Sequence, residues 1–253
     1  MILVENLVKR YFEKIVLDGI SFKVEDGEIY GFLGPNGSGK STTLKILAGV
    51  LKPTSGRVEI EGIDVVSNPV KVKKIIGYVP ETPTLYESLT PAELFSFIGG
   101  IRDIDERVLK ERVNRFVEAF EIEKYMNQFI GTLSFGTKQK ISLIASFLHD
   151  PKVIIMDESM NGLDPKSARI LRELLLRFRD EGKSIIFSTH VLPLAEMICD
   201  RIGLIYEGKL IAEGTMDELR EKAQEENLED IFLKLTKSKD EMANIIQALQ
   251  EVL

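Results

Sequence analysis

Residues 34–41 read Gly34-Pro35-Asn36-Gly37-Ser38-Gly39-Lys40-Ser41, which fits G-x-x-x-x-G-K-[ST]. Glu28 to Leu33 before it form an extended pattern, and Leu44, Leu47 and Ala48 after it fall at helical spacing. A glycine-rich turn between strand and helix lets backbone N–H groups converge on phosphate oxygens that side chains would obstruct. The helix opening near Lys40 aims the positive end of its dipole at the same anion. Lys40 can reach β- and γ-phosphates, and Ser41 can offer its hydroxyl to Mg2+. Four fixed positions match by chance in roughly one chain of this length in a hundred. The strand-and-helix setting makes chance rarer still, and the segment is read as a nucleotide cradle.

Outward from the cradle, residues 2–33 read as strands joined by short turns, with Asp26-Gly27 as a two-residue hairpin signal. Further strands are expected near 57–60 and 75–79. From about 81 the character turns helical. Thr90-Pro91-Ala92-Glu93 combines a capping residue, a first-turn proline and a reciprocal glutamate. After 150, strands at Val153–Asp157, Ser184–Ser188 and Ile202–Tyr206 alternate with a helix over 165–180 that carries Leu171, Leu174, Leu175 and Phe178 on one face. Such alternation predicts an α/β fold with a mostly parallel sheet, interrupted by a helical lobe. Thr215 and Glu218 cap one more helix. The tail places Met242, Ile245, Ile246, Leu249 and Leu253 at helical spacing.

Val153-Ile154-Ile155-Met156 is a buried-strand pattern that ends in two acids, Asp157 and Glu158. Carboxylates beside a core must be paired or bind a metal. Asp157 is placed to hold the Mg2+ shell and Glu158 to orient or deprotonate an attacking water. His190 follows the strand Ser184–Ser188 at the carboxyl end, where α/β proteins bind ligands, which favours a γ-phosphate contact. His149 sits in a helical pattern and is read as structural.

Of the 253 residues, 33 are basic and 40 acidic, a formal charge of −7. That balance argues against a protein that holds nucleic acid through its phosphates, so no nucleic-acid partner is expected. A single cysteine, Cys199, excludes an internal disulfide and suits a reducing cytosol. No signal peptide and no stretch of the 18–20 apolar residues that span a bilayer is read here. An N-K-x-D base-reading motif is absent, which disfavours a GTPase.

The segment Leu133-Ser134-Phe135-Gly136-Thr137-Lys138-Gln139-Lys140, just before the acidic strand, resembles the LSGGQ signature of ABC ATPases. The resemblance covers residues 1 to about 216. It implies a P-loop cassette with a mostly parallel core sheet, an antiparallel β subdomain and a helical subdomain inserted at about 82–150, followed by a helical tail over 217–253. Within it, Tyr11 looks like the aromatic residue that stacks on adenine, and 34–42, ending at Thr42, is Walker A. Glu81 occupies the Q-loop position and completes a metal set with Ser41 and Asp157. Glu158 matches the catalytic glutamate, Asn161-Gly162-Leu163-Asp164 the D-loop and His190 the switch histidine.

The resemblance further implies ATP hydrolysis with Mg2+ in a head-to-tail dimer. There Ser134 and Gly136 of one copy face the γ-phosphate held by the other, a second helix-end anion site. Asp164-Pro165 doubles as a helix cap. The sequence departs from the family pattern at Phe135, Thr137, Glu81 and Ser159. Glu81, the relaxed signature and Asn227-Leu228-Glu229-Asp230-Ile231-Phe232-Leu233-Lys234-Leu235-Thr236 look like ABC-2-type exporter ATPases. Those work on the cytoplasmic face of the cell membrane, against a separate membrane-spanning permease. Residues 82–100 are the expected docking region, and the 227–236 tail is also a packing helix through Leu228, Ile231, Phe232 and Leu235. The alternative is a soluble ABC ATPase that acts in assembly or regulation.

Overall fold

The chain enters the fold as an antiparallel pair, β1 (Ile2–Tyr11) and β2 (Lys14–Val24), in a computed structural model that describes residues 1–236. After Asp26-Gly27 come β3 (Ile29–Leu33) and α1 (Lys40–Leu47). Next are β4 (Ser55–Ile60), β5 (Ile63–Asp64), α2 (Pro69–Ile75) and β6 (Ile76–Val79). Three helices follow, α3 (Pro91–Ile101), α4 (Glu106–Phe120) and α5 (Phe135–Phe147). Alternation then resumes with β7 (Val153–Asp157), α6 (Pro165–Asp180), β8 (Ser184–Thr189) and α7 (Leu192–Ile198). The described chain finishes with β9 (Arg201–Tyr206), β10 (Lys209–Gly214), α8 (Met216–Ala223) and α9 (Leu228–Leu235).

The strands divide between two sheets. One is antiparallel in the order β2-β1-β4-β5; the other runs β10-β9-β3-β8-β7-β6, parallel except where β10 folds back on β9. Every residue of β3, β7 and β8 is buried, as expected of central strands covered on both faces. This corrects the hairpin expected at Asp26-Gly27. The turn is there, but it carries the chain from one sheet to the other: β2 pairs with β1, and β3 with β8 and β9. A strand apolar on both faces is satisfied at the centre of a parallel sheet, and that burial outweighs the local turn signal.

Local signals elsewhere stand as read. Thr90 accepts from the Glu93 amide, and the Glu93 carboxylate accepts from the Thr90 amide in return. Thr215 and Glu218 repeat the arrangement at α8. The capping box at Thr90 stops the preceding loop and launches α3, whose Leu94 and Phe95 point inward. They join one apolar core that also takes in Phe120, Ile141, Phe147, Ile154, Met156 and Leu171, so the helices of 91–147 pack directly on the parallel sheet. A second core lies between the two sheets and α1.

Leu228 and Ile231 of α9 are buried in a third core with Leu33, Leu204 and Leu219, Phe232 packs beside them, and Leu235 is exposed. The helical spacing from Met242 to Leu253 lies outside the described residues. Among the described residues no helix is long and apolar enough to cross a membrane.

Candidate functional site

The carboxyl ends of β3, β7 and β8 place their loops side by side, because the three strands are neighbours in register: Leu33 lies opposite Thr189, and Asp157 opposite Ser188. Gly39 is the N-cap of α1 at φ 112, a backbone conformation that glycine adopts without strain. There a Cβ would stand 2.5 Å from a Leu17 methyl. The Gly208 amide donates to the Ser38 carbonyl at 3.0 Å, so the β9–β10 turn braces the glycine loop from outside. Lys40 is buried and donates to the carbonyls of Gly34 (2.7 Å) and Pro35 (3.2 Å). Its ammonium also lies 3.5 Å from Glu158 Oε1.

Asp157, fully buried at the end of β7, accepts from Ser41 Oγ at 3.0 Å and from Ser188 Oγ at 2.7 Å, both on Oδ1. Its Oδ2 is buried with no hydrogen-bond partner in the protein. Glu158 follows in a left-handed conformation, φ 46, unusual for a residue with a side chain. Its amide is held by the Ser188 carbonyl (3.2 Å) and hydroxyl (3.0 Å), while its carboxylate also meets His190 Nδ1 at 2.8 Å. Glu158 thus sits between an ammonium and an imidazole.

Asn36, Gly37, Gly39, Lys40, Ser41 and Thr42 line a cavity of about 630 Å3, with Glu81 and Glu158 reaching it from other loops. Ile15 and Val16 of β2 and the Glu207-Gly208 turn also line it. Nothing in the sequence singled these out, since ordinary strand residues acquire the role only through the packing of one sheet on another.

The remaining expected residues lie elsewhere in the single chain. Tyr11 is half exposed beside the Phe12-Glu13 turn, with Lys9 Nζ 4.7 Å from its ring centroid, and does not line the cavity, although its pairing partner Lys14 does. Ser134 caps α5, and Gly136 lies in its first turn. Asp164 caps α6 by accepting from the Ser167 amide and hydroxyl. The Lys140 ammonium, followed by those two bonds, holds its carboxyl well below the usual carboxylate range. Neither Ser134, Gly136 nor Asp164 lines the cavity. His149 lies past α5, with Nε2 2.9 Å from the Ile76 carbonyl; burial lowers its pKa to about 4, consistent with a structural role.

Magnesium fits this donor set. It takes oxygen ligands, typically one or two from protein and the rest from substrate phosphates and water. Ser41 Oγ, the unpartnered Asp157 Oδ2 and the Glu81 carboxylate are oxygens of that kind, and no cluster of three or more acid, histidine or cysteine side chains occurs among the described residues. The family model for the ABC transporter matches residues 17–161, more than half of the chain.

The chain belongs to the ABC transporter ATP-binding family.

As an ABC cassette it is an ATPase that uses ATP and Mg2+, and the bound metal supplies positive charge beside the phosphates. It is 37% identical over 219 residues to an ABC transporter ATP-binding protein of Methanocaldococcus jannaschii, spanning 87% of this chain and 79% of that protein. With the linearmycin resistance ATP-binding protein of Bacillus subtilis it shares 35% identity, spanning 87% of this chain and 70% of the relative. A solved ATP-binding subunit of an ABC transporter superposes with a TM-score of 0.89 at 32% identity, covering 93% of this chain and 99% of that one. A dimeric cassette in a post-hydrolysis state bound to ADP and Pi superposes with a TM-score of 0.77 at 25% identity, covering 85% and 98%.

Proposed function

We propose that this ABC cassette hydrolyses ATP in a head-to-tail pair of copies to drive solute export through a separate membrane-spanning subunit. The observation that carries the hydrolytic part is one linked set: Lys40, Ser41 and Glu158 line the cavity, Asp157 accepts from Ser41 behind it, and His190 meets the Glu158 carboxylate. Gly34 to Thr42 cradle the triphosphate, and Lys40 neutralises its terminal charge. Ser41, Asp157 and Glu81 hold the magnesium shell. Glu158 draws the proton from the attacking water, and His190 orients Glu158 and the γ-phosphate. Tyr11 stacks on adenine. Ser134, Gly136 and Asp164, which lie away from the cavity of their own chain, serve the nucleotide of the facing copy. The dimeric relative bound to ADP and Pi supports that pairing, and the linearmycin resistance relative supports export.

A second cavity, about 530 Å3, supports the membrane partner. It opens between α3, α5 and β6, with Tyr86, Phe97 and Ile101 exposed along it and the Tyr86 and Phe97 rings packed edge to face. Lys73 and Arg102 line it, and neither forms an ion pair among the described residues. An amphipathic helical segment of the permease that carries an acid matches both features. Tyr78 lines this groove, and the pKa of its phenol is pushed up by burial and then by the charges of Asp157 and Glu81. We assign residues 1–216 to the ATPase domain, with the helical subdomain at 82–150, and 217–253 to the tail.

Glu158→Gln tests the reading. The variant should bind ATP, lose turnover and accumulate as an ATP-bound dimer in size-exclusion chromatography. Hydrolysis at the wild-type rate would remove Glu158 from its role.

A further inference from the structure

Outside the cavity, one helix is fastened to the acidic loop by more contacts than capping requires. Gln139, in the second turn of α5, is fully buried, and its Nε2 donates to the Ser159 carbonyl at 2.8 Å. Its Oε1 is buried with no hydrogen-bond partner, an unsatisfied buried group that calls for a reason. Ser159 itself is buried and directly follows Glu158, whose backbone is left-handed. One residue on, Lys140 pairs with Asp164 at 2.8 Å. At the start of the helix the Phe135 ring covers Gly162 so closely that a Cβ there would stand 2.5 Å from it. A Cβ on Gly136 would lie 2.6 Å from the Gly162 carbonyl. Residues 135–140 and 158–164 are therefore packed against each other along their length.

We propose that Gln139 is a positioning residue for Glu158, tying the peptide after that carboxylate to the helix that opens with Ser134. The inference rests on the reading that Glu158 activates water and that Ser134 meets the nucleotide of a facing copy. In that arrangement a chain whose helix is engaged by the opposite nucleotide has its own Glu158 held in place. Turnover at one site is then linked to occupancy of the other, with the Gln139 amide as the contact nearest Glu158.

Gln139→Met keeps the length and removes both the donor and the unsatisfied oxygen. The full-length variant should retain the wild-type unfolding midpoint and affinity for a fluorescent ATP analogue. Its KM for ATP should stay within two-fold, while kcat falls at least ten-fold. A kcat within two-fold of wild type overturns the proposal, and so does a fall in kcat matched by falls in nucleotide affinity and unfolding midpoint, which marks a merely structural residue. Gln139→Glu supplies a rescue, because a buried carboxyl can donate to Ser159 only when protonated, and burial favours the protonated form. Its kcat relative to wild type should rise as pH is lowered from about 8 to about 6; a flat ratio overturns the donor role. Glu158→Gln run alongside separates the two claims: an active Glu158→Gln sinks the reading of Glu158, whereas an inactive one beside a normal Gln139→Met sinks only the role of Gln139.

Discussion

Lys40 and Glu158 form an ion pair of 3.5 Å in which each side chain is more than nine-tenths buried. The cation opens α1 after the glycine loop that follows β3, and the anion lies in the loop after β7, two strands separated in the sheet by β8. The pair is completed by His190 on the far side of the carboxylate. Binding and chemistry are therefore joined by a charge contact within one wall.

Replacing Lys40 with Met keeps the reach and removes the charge. Charge-assisted hydrogen bonds contribute about 1.5–3 kcal/mol, so affinity for ATP should drop on the order of ten- to a hundred-fold. Titration with a fluorescent ATP analogue reads this directly, and an unchanged dissociation constant would contradict the cradle.

Asp157→Asn preserves shape and one acceptor for Ser41 and Ser188 but withdraws the negative charge. The magnesium concentration for half-maximal hydrolysis should rise by about ten-fold or more, in keeping with a lost hard-oxygen ligand. Superimposable magnesium curves for variant and wild type would take the metal away from Asp157.

His190→Ala leaves the cradle intact and strips the imidazole from Glu158. Turnover should fall, by at most the factor of about 10²–10⁴ that the general base Glu158 itself contributes, with nucleotide affinity close to wild type. Loss of affinity in proportion to turnover would instead make His190 a binding residue.

His149 predicts the acid side of the stability curve. Its pKa is lowered by burial from 6.5 to about 4, so between those values the unfolded chain takes up a proton that the folded one does not. Stability contributed by the neutral ring is complete above about 6.5 and is lost as pH falls towards 4. His149→Gln keeps a donor for the Ile76 carbonyl and should flatten the unfolding midpoint over that interval. An unchanged slope would mean that His149 does not titrate there.

How far the residues spoke for themselves depends on the range of the interaction. Capping at Thr90, Asp164 and Thr215 is decided within four residues and reads correctly from the chain alone. So do β3, β7 and β8, whose apolar runs have no face to expose. Asp26-Gly27 shows the limit: turn chemistry says that the chain reverses but not which sheet it enters. Gln139 lies in the polar run Thr137 to Lys140, where no apolar pattern marks burial, yet it is buried and bonded to the Ser159 carbonyl. Gly208 meets the glycine loop only once β9 has come beside β3. Of the cradle set, Asp157, Glu158 and His190 stand at or just beyond the end of a central strand, a place that periodicity can find, whereas Lys40 and Ser41 open α1 and are found by the glycine motif before it.

The left-handed bend at Glu158 carries a wider implication. A backbone held in that region by a side-chain-bearing residue costs about 1–3 kcal/mol, and glycine or asparagine would adopt it more readily. Mutational drift governed by robustness alone would tend to swap the acid for one of these. A carboxylate at such a bend records a demand that folding does not make, and attempts to harden the molecule by relaxing this position should trade heat resistance against turnover.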